Sequence, residues 1–395
     1  MARKIDPASI PKEWKYDLLD KFAVRCSGHT PSQSFPEYWD GGIKWISLAD
    51  SNRLDKGYIF NTSKEISEDG VKNSSAVLLP AETVVLSRDA GIGKSAVMYE
   101  PMAVSQHFIA WKCDNAHKIN SWFLYNWLQL NKTEFERQAV GSTIKTIGLP
   151  YFKKLKIALP PYQEQEKIAQ ILSTWDQAIS ATEKLLENSQ QQKKALMQQL
   201  LTGKKRLLDE NGVKFSDEWQ RIELGLLLDY QQPTPYLVES TAYSDSYETP
   251  VLTAGKTFIL GYTNESSGIY QDQLPVIIFD DFTTDSKYVN FPFKAKSSAM
   301  KILTAKKGVS IKFVFEAMQM LQFTVGGHQR HWISIFSNLV IPLPNKKEQQ
   351  QIAEVLSLAD QEIETLQKKL DCLQQEKKAL MQQLLTGKKR VKVAA

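Results

Sequence analysis

The sequence predicts an α+β protein in which two mixed α/β domains are separated by a long antiparallel two-helix coiled coil, with pseudo-two-fold symmetry. The first observation behind this prediction is an identical repeat, KKALMQQLLTGKKR, at residues 193–206 and again at residues 377–390. The second is a regular apolar spacing within the repeated region. The third is a pair of unlike segments, rich in β-branched and aromatic residues, that precede the two copies. A chain of 395 residues is long enough for several domains.

The repeated region divides the chain into four parts, because the motif LP-x-x-x-EQ opens each copy. We predict a first domain at residues 1–161, a first spacer helix at 162–206, a second domain at 207–345 and a second spacer helix at 346–395. Pro160 and Pro161 suit the entrance to a helix, and Gly203 and Gly387 suit its end. The basic residues after each glycine either contact phosphate or complement the dipole of the helix C-terminus.

Each copy carries inward positions at steps that alternate between four and three residues, which is the heptad spacing of helices in a coiled coil. Gln, Glu and Lys fill the other positions; they favour a helix, and their polar side chains suit its solvent-exposed faces. We predict that the coiled-coil seam contains Ile168, Leu172, Trp175, Ile179, Leu186, Leu196 and Leu200 in the first copy, and Ile352, Leu356, Ile363, Leu366, Leu370, Leu373, Leu380 and Leu384 in the second.

The length of the helices predicts that the two copies pair antiparallel. Each helix has about 40 residues and is about 60 Å long. Residues 202–215 are the only link to the second domain, and they reach about 50 Å at most. A parallel pair would require the chain to return along the whole helix, whereas an antiparallel pair requires no return. The expected result is two related domains held about 60 Å apart, which suits two short half-sites on DNA separated by a fixed gap.

The two unlike segments are predicted to be mixed α/β, with strands first and a helix late. ETVVLS at residues 82–87 and LPVIIFDD at residues 274–281 have the short apolar runs of buried strands. Residues 119–140 and about 310–323 are predicted helices. The segments are weakly related, because KEWKYDLL from Lys12 resembles DEWQRIEL from Asp217, and HTPS from His29 answers PTPY from Pro233.

The composition is that of a folded protein, with 42% hydrophobic and 24% charged residues. The net charge of +5 allows nucleic-acid binding without establishing it, because a local basic patch matters more than a total. Cys26, Cys113 and Cys372 have neither disulfide nor metal-ligand spacing, so a reducing compartment is expected. We find no signal peptide and no apolar run that would span a bilayer. The predicted location is cytoplasmic, with no membrane partner.

Several motifs, in a fixed order, make the sequence resemble the specificity subunit of type I restriction–modification systems over nearly its whole length. They are SGHTPS at residues 27–32, YWDGGIKWI at 38–46, SRDAGIGKS at 87–95, GSTIKTIGLPYFKKLKIALPPYQEQEKIAQIL at 141–172, and the duplicated ALMQQLLTG. The second segment departs from the pattern, with QPTPYLV and FDDFTTDSKY where SGGTP-like residues and a glycine loop are usual. Its assignment rests on its position and on its closing strand.

The resemblance implies a DNA-reading protein without a catalytic site. In this family the two variable segments are target-recognition domains, each of which reads one half of a bipartite, asymmetric site on double-stranded DNA. The two constant helices dock two modification subunits, which methylate adenine N6 with S-adenosylmethionine. Restriction subunits join through them and use ATP, with Mg²⁺ expected there. The resemblance therefore implies no cofactor in this chain.

Polar side chains on predicted loops are the candidates for DNA contact, because hydrogen bonds to base edges read sequence, while Lys and Arg bind phosphate. In the first domain the candidates are Thr30, Ser32, Arg88, Lys94, Ser142, Thr143 and Lys145. In the second domain they are Thr234, Tyr236, Thr284, Lys287, His328, Gln329 and Arg330. The alternative for each residue is an ordinary solvated loop position.

Two stretches resemble catalytic motifs but lack an essential residue. GIGKS at residues 91–95 resembles a phosphate-binding loop, yet Arg88 stands where that motif needs its first glycine. The alternatives for this turn are a DNA phosphate contact through its amides and Lys94, or a plain surface turn. LPPY at residues 159–162 resembles an amino-methyltransferase motif, but Leu159 cannot accept a hydrogen bond from a target amine.

No catalytic residue and no metal site are predicted. Asp272 with Asp285 and Lys287 matches a nuclease metal site only loosely, and the five histidines show no metal-ligand spacing. A nuclease or methyltransferase with its own recognition domains is the first rival class, and it lacks every motif considered. A coiled-coil assembly protein without a nucleic-acid role is the second rival class. That protein would not need two dissimilar α/β domains with polar loops.

Overall fold

The computed structural model describes residues 10–114, 117–141, 145–253, 257–321 and 331–392. They form two compact units. Unit 1 comprises Met1–Glu183 with Lys369–Ala395, and unit 2 comprises Lys184–Lys368. Both divisions between the units fall within a long helix.

Unit 1 is built from short strands and short helices that precede a long helix. Its strands are β1 (Lys15–Leu18), β2 (Val24–Ser27), β3 (Trp39–Ile46), β4 (Tyr58–Ile59), β5 (Lys64–Ile66), β6 (Val84–Ser87), β7 (Ser95–Met98), β8 (Ala103–Val104), β9 (Phe108–Lys112) and β10 (Lys156–Leu159). Its helices are α1 (Glu68–Lys72), α2 (Ser121–Leu130), α3 (Lys132–Gln138), α4 (Leu149–Lys153) and the first part of α5 (Tyr162–Leu200).

Unit 2 repeats this plan. Its strands are β11 (Gln220–Glu223), β12 (Leu228–Gln231), β13 (Thr249–Leu252), β14 (Ile259–Thr263), β15 (Val276–Asp280), β16 (Ser286–Val289), β17 (Lys294–Ala295), β18 (Met300–Ala305) and β19 (Val340–Leu343). Its helices are α6 (Leu224–Leu227), α7 (Ile311–Gln319), α8 (His331–Ser334) and the first part of α9 (Lys346–Leu384).

The sheets of the two units have the same connections. The order β2-β9-β6-β7 in unit 1 matches β12-β18-β15-β16 in unit 2, with every neighbour antiparallel. The order β5-β3-β8 likewise matches β14-β13-β17, with one antiparallel pair and one parallel pair in each. Unit 1 adds β4, which lies parallel to β7. The weak sequence relation therefore reflects a common topology.

The segments KEWKYDLL and DEWQRIEL occupy equivalent places in this topology. Strand β1 pairs antiparallel with β10, and β11 pairs antiparallel with β19. In each unit this two-stranded ribbon leads directly into a long helix. A tryptophan precedes each first strand, Trp14 in unit 1 and Trp219 in unit 2.

In unit 1 the first part of α5 runs antiparallel to the last part of α9. Asp176 forms an ion pair with Lys377, and Glu164 forms an ion pair with Arg390, which follows α9. The residue numbers therefore rise along one helix as they fall along the other. Ile168 and Leu172 join Leu384 in the main hydrophobic core of the unit.

Unit 2 shows the same pairing with the other halves of the helices. Lys193 Nζ lies 2.6 Å from Asp360 Oδ1, and Ser189 Oγ donates to Glu362 Oε1 at 3.2 Å. Leu200 of α5 packs in the same core cluster as residues of α9, including Ile352. Because the pairing is antiparallel in both units, the predicted fold class is confirmed.

The predicted seam positions are shielded from solvent along both helices. Those that are buried are Ile168, Leu172, Leu186, Leu200, Ile352, Leu356, Leu370 and Leu384. Those that are half-buried are Trp175, Ile179, Leu196, Ile363, Leu366, Leu373 and Leu380. Near the helix ends these positions belong to the domain cores, so the same apolar stripe packs the helices and the sheets.

The short helices differ from their predicted bounds in one respect. The prediction of one helix over residues 119–140 is wrong, because α2 ends at Leu130 and α3 begins at Lys132. Asn131 lies between them, and its side-chain amide donates to the carbonyl of Trp127 at 2.8 Å. This bond competes with the helical pattern, as Asn side chains do at helix ends. In unit 2, α7 lies within the predicted range.

Candidate nucleic-acid interface

In unit 1, four loops meet at one end of the sheet that contains β6. They follow β2, precede β9, join β6 to β7, and lead from α3 to α4. Thr30 Oγ1 forms a hydrogen bond with Gln106, so the loop after β2 touches the loop before β9. Arg88 N donates to the carbonyl of His107 at 3.0 Å, and Ile147 N donates to the carbonyl of Arg88 at 2.9 Å. These bonds join the four loops into one edge.

Asp89 connects the side chains of this edge. Its Oδ2 lies 2.5 Å from His107 Nδ1, and its Oδ1 accepts a hydrogen bond from Thr146 Oγ1. Gln106 Nε2 lies 3.5 Å from the other ring nitrogen of His107. A carboxylate that accepts from two loops fixes their relative positions, since charge-assisted hydrogen bonds are among the strongest.

Arg88 keeps unused hydrogen-bonding capacity within this network. Its Nη2 donates to Thr146 Oγ1 at 3.5 Å, and its side chain is 19% exposed. The buried Nε lies 3.9 Å from Asp89 Oδ1, an ion-pair distance, and its N–H makes no hydrogen bond among the described residues. A planar guanidinium offers five donors and is suited to bidentate recognition of guanine or phosphate. Arg88 is therefore held at the edge with donors to spare.

Lys94 has a structural role. Its ammonium donates to Ser51 O at 3.0 Å and to Ser51 Oγ at 3.2 Å. The backbone amides of Gly93 and Lys94 donate to the carbonyls of Ser87 and Gly91. These two amides therefore form hydrogen bonds within the glycine turn itself. They are not free to bind a DNA phosphate, which was one of the two alternatives for this turn.

Three of the remaining candidates of unit 1 lie on its described loops. Thr30 is half-buried, whereas Ser32 and Lys145 are exposed. Ser32 Oγ accepts from Ser34 N at 3.3 Å, which shapes the loop after β2. Ser142 and Thr143 lie outside the described residues.

In unit 2, a buried cluster occupies the corresponding end of the sheet. Lys301 Nζ lies 3.2 Å from Asp281 Oδ2 and donates to Gln232 Oε1 at 3.1 Å. Asp281 O accepts from His331 N at 3.0 Å, and Asp281 Oδ1 accepts from Trp332 N at 2.9 Å. The cluster therefore joins the loop after β12, the start of β18, the β15–β16 turn and α8.

Equivalent backbone positions close the two edges. Ser87, which ends β6, pairs with Phe108, and Asp280, which ends β15, pairs with Met300. The next residue is Arg88 in unit 1 and Asp281 in unit 2, and each carbonyl accepts from the chain that returns after α2–α3 or α7. The frame is the same, while the charge at this position is reversed.

The candidates of unit 2 differ in exposure. Thr234 begins the 3₁₀ turn Thr234–Tyr236 and is exposed. Tyr236 is half-buried, because its ring packs edge-on against Tyr270 with centroids 4.8 Å apart. Thr284 is half-buried in the β15–β16 turn, and Lys287 is exposed on β16. The other three candidates, His328, Gln329 and Arg330, lie outside the described residues.

Sequence reasoning missed the residues that build these edges. In unit 1 they are Asp89, Gln106, His107 and Thr146, and in unit 2 they are Gln232, Asp281 and Lys301. Lys301 gave a signal, because a lysine inside the apolar strand MKILTA needs a buried partner. The unit 1 network gave none, since its members are ordinary polar loop residues that lie far apart in sequence.

The start of each long helix is tied to the residues that follow the other long helix. Arg390 Nε and Nη2 each donate to Glu164 at 2.7 Å, and Trp14 Nε1 donates to the same carboxylate at 3.3 Å. Hydrogen bonds to Glu164 and Glu13 raise the pKa of Arg390 above its ordinary value. The two guanidinium bonds form a bidentate clamp. We name this set of contacts the unit 1 closure.

The unit 2 closure has the same chemistry. Arg206 Nε and Nη2 donate to Glu348 at 2.6 and 2.7 Å, and Trp219 Nε1 donates to it at 3.1 Å. The hydrogen bonds to Glu348 raise the pKa of Arg206. These ion pairs give the arginine of each basic helix end a glutamate partner, which neither alternative from the sequence foresaw, while the alternatives for the neighbouring lysines stay predictions. Gly203 precedes the arginine with φ +72°, a conformation that favours glycine.

Within the described ranges, the His, Cys, Asp and Glu side chains form no group of three that would hold a metal ion. Among the same residues, none of the helices combines the length and the apolar character needed to traverse a bilayer.

Comparison with known proteins identifies the family. A family model described as "Type I restriction modification DNA specificity domain" matches residues 11–189 and 216–375, so the domain occurs twice. The chain therefore belongs to the family of type I restriction–modification specificity subunits, as its motifs predicted. Because this is the specificity family and not that of the modification or restriction subunits, the prediction that the chain is not an enzyme is confirmed.

Individual relatives agree with this assignment. The EcoR124I/EcoR124II specificity subunit of Escherichia coli is 54% identical over 132 residues, which are 32% of each chain. The MjaVIII specificity subunit of Methanocaldococcus jannaschii is 25% identical over 97% of this chain and 94% of its own length. The chain thus spans about a third of the Escherichia coli relative, and 43% of the MjaIX specificity subunit of the archaeon.

Solved structures share the fold. The S subunit of the type I restriction–modification system of M. genitalium has a TM-score of 0.65 at 16% identity, covering 95% of this chain and 96% of that one. A chain from a study of complex assembly and conformational transition in a type I system has a TM-score of 0.54 at 13% identity, with coverage of 96% and 99%. At these identities the likeness establishes the architecture only.

Proposed function

We propose that this chain selects the DNA sequence for a type I restriction–modification complex and catalyses no reaction itself. Residues 1–161 and 207–345 act as target-recognition domains, and residues 162–206 and 346–395 act as the spacers, whose helices end earlier than the sequence predicted, at Leu200 and Leu384. Each domain reads one half of a bipartite, asymmetric site. The chain docks two adenine-N6 methyltransferase subunits, which carry S-adenosylmethionine. Restriction subunits with ATP and Mg²⁺ join through them, and the assembly works in the cytoplasm.

One observation carries the proposal: the two units have the same sheet topology but different side chains at the same edge. A common frame allows both edges to approach DNA in the same way, while different edges read different bases. Arg88 with spare donors marks the first edge, and the polar turn after β15 marks the second. A purely structural spacer protein would need neither.

The helix repeat supports the docking of two similar partners. Residues 193–206 are identical to residues 377–390, and both copies run as helices of the same length, Tyr162–Leu200 and Lys346–Leu384. Their closures use the same residue types at the same positions. Two nearly identical surfaces on one chain suit two copies of one partner.

Reconstitution tests the proposal. The purified chain alone is expected to transfer no methyl group from S-adenosylmethionine to DNA, whereas the chain with its modification subunits should methylate adenines within one bipartite sequence. The modification subunits without the chain are the control, and they should show no sequence-specific methylation. Methyl transfer by the chain alone would support the enzyme alternative, and methylation of unchanged specificity without the chain would contradict the proposal.

A further inference from the structure

Phe282 is an exposed aromatic residue at the tip of the β15–β16 turn. The residue is 47% exposed, and the turn stands at the edge assigned to DNA reading in unit 2. A single exposed apolar residue is ordinary on protein surfaces. The argument therefore depends on how the turn is held and on what surrounds the ring.

The backbone of this turn is fixed by a dense set of hydrogen bonds. Phe282 N donates to Asp280 Oδ1 at 2.9 Å, and Thr284 N donates to Asp280 O at 2.9 Å. Asp280 N donates to Asp285 O at 2.8 Å. Thr284 has φ +64°, which is a strained conformation for a β-branched residue. Such strain persists only where the surrounding structure enforces it, and it is concentrated at functional sites.

The base of the turn is anchored by a buried ion pair. The Asp281 and Lys301 side chains are 2% and 1% exposed, and their charged atoms lie 3.2 Å apart. Burying two charges costs desolvation free energy that apolar residues would not incur. Asp281 also accepts from the amides of His331 and Trp332. The turn therefore presents Phe282 from a fixed base.

The chemistry of the tip suits base edges better than phosphates. Its exposed residues are Phe282, Thr283 and Asp285, and none of them is a cation. The Asp285 carboxylate would repel a phosphate but can accept from the amino group of cytosine, and a phenyl ring can pack against the methyl group of thymine. A two-stranded ribbon fits the major groove, where both groups are displayed. Lys287, which is exposed on β16, is available for a phosphate.

We propose that the β15–β16 turn enters the major groove and that Phe282 packs against the C5-methyl group of a thymine in the half-site read by unit 2. Phe282 is then a specificity-determining residue of that half-site. This inference rests on the proposed function and adds to it the residue and the base feature that it recognises.

Removing single methyl groups from the DNA tests this contact. The bipartite site is first mapped by its methylated adenines, and the complete complex is then titrated with 30-bp duplexes in which each thymine of the second half-site is replaced, one at a time, by deoxyuridine. With the wild-type complex, one replacement should weaken binding by about fourfold, the effect of losing one buried apolar carbon. With Phe282→Ala, the same replacement should have no further effect, while Phe282→Leu should keep part of it.

Leu226→Ala is the matched control, because Leu226 is 64% exposed in the same unit but lies on α6, outside the turn. It should bind as wild type and keep the full response to deoxyuridine. The inference is overturned if Phe282→Ala keeps that response, if no replacement affects the wild type, or if the half-site contains no thymine. If the wild-type complex does not prefer the mapped duplex over a scrambled one, the proposed function itself fails.

Discussion

The β6–β7 turn of unit 1 and the β15–β16 turn of unit 2 occupy the same place in the same topology, yet they are held by different means. In unit 1, Asp89 links exposed and half-buried polar loops through His107 and Thr146. In unit 2, the buried ion pair between Asp281 and Lys301 anchors the base of the turn. The closures, in contrast, use the same Trp, Glu and Arg in both units.

The contrast separates the residues that hold the common fold together from the residues at the edge assigned to DNA reading. Where the two units must perform the same task, closing a sheet onto paired helices, their residues are identical in type. Where they are proposed to differ, at the edge assigned to DNA reading, even the charge at the equivalent position is reversed, with Arg88 in one and Asp281 in the other. A change in the closure should therefore act on folding, and a change in the edge should act on one half-site only.

The largest effect is expected from breaking a closure. Arg206→Ala leaves the fully buried Glu348 carboxylate without its guanidinium partner, which should lower the free energy of unfolding of unit 2 by about 4 kcal/mol. Arg390→Ala should cost unit 1 less, because the Arg390 side chain is 38% exposed against 15% for Arg206. Hydrogen exchange at the start of α9 and of α5 measures the two losses separately. Equal, negligible losses would contradict the role of the closures.

The second largest effect is expected from breaking the Asp281–Lys301 ion pair that anchors the β15–β16 turn. Lys301→Met leaves Asp281 buried without its ammonium partner and should destabilise unit 2 by about 3 kcal/mol. Lys287→Met is the matched control, since Lys287 is exposed on the neighbouring strand, and it should change stability by less than about 0.5 kcal/mol. Urea unfolding with hydrogen exchange of β15 gives both values. Similar values for the two lysines would exclude an anchoring role.

A smaller effect, on DNA binding, is expected from removing Arg88 at the edge of unit 1. Arg88→Ala should weaken binding on the order of tenfold, because a bidentate arginine contact contributes about 1–3 kcal/mol of discrimination. The loss should disappear on duplexes in which only the first half-site is scrambled, and it should be unchanged when only the second is scrambled. Binding titrations of the complete complex with these duplexes measure both. An equal dependence on the two half-sites would show that the domains do not read independently.

The smallest effect concerns acid stability. Burial alone would raise the pKa of Asp360, but hydrogen bonds from the Lys193 and Lys312 ammonium groups outweigh it and hold that pKa below its ordinary value. A lowered pKa means that the stabilisation is complete above the unfolded value near pH 4 and is lost as the pH falls through the lower folded value. Because the side chain is 39% exposed, the effect should be below about 1 kcal/mol.

Asp360→Asn tests this ion cluster. The variant should be less stable than wild type at pH 6, and the difference should shrink towards pH 3, as followed by hydrogen exchange of residues 184–200. Glu364, which is exposed on the same helix and pairs only with Lys368 among the described contacts, provides Glu364→Gln as the control without such a trend. A difference that grows on acidification would have the wrong sign.

The sequence predicted the local and periodic features well. Heptad spacing located both long helices, and the glycines at their ends have the positive φ that their position required. Strands β6 and β15 also lie within residues 82–87 and 274–281, where short apolar runs predicted buried strands. These features depend on neighbouring residues, which a sequence displays directly.

The contacts between distant residues were beyond the sequence. The partner of Lys94 is Ser51, and Asp89 binds Thr146, because the order of strands in the sheet brings their loops together. Periodicity carries no information on that order. The break at Asn131 escaped prediction for another reason, since a side-chain bond to the backbone competes with helix without changing the apolar pattern.

Exchange of one domain tests the central claim most directly. Residues 207–345 are replaced by the corresponding segment of another specificity subunit, and methylated adenines are mapped in DNA from a host that carries the complete system. If the units are independent readers on a common frame, one half-site changes to that of the donor and the other stays as it was. A change in both half-sites, or in neither, would contradict the account.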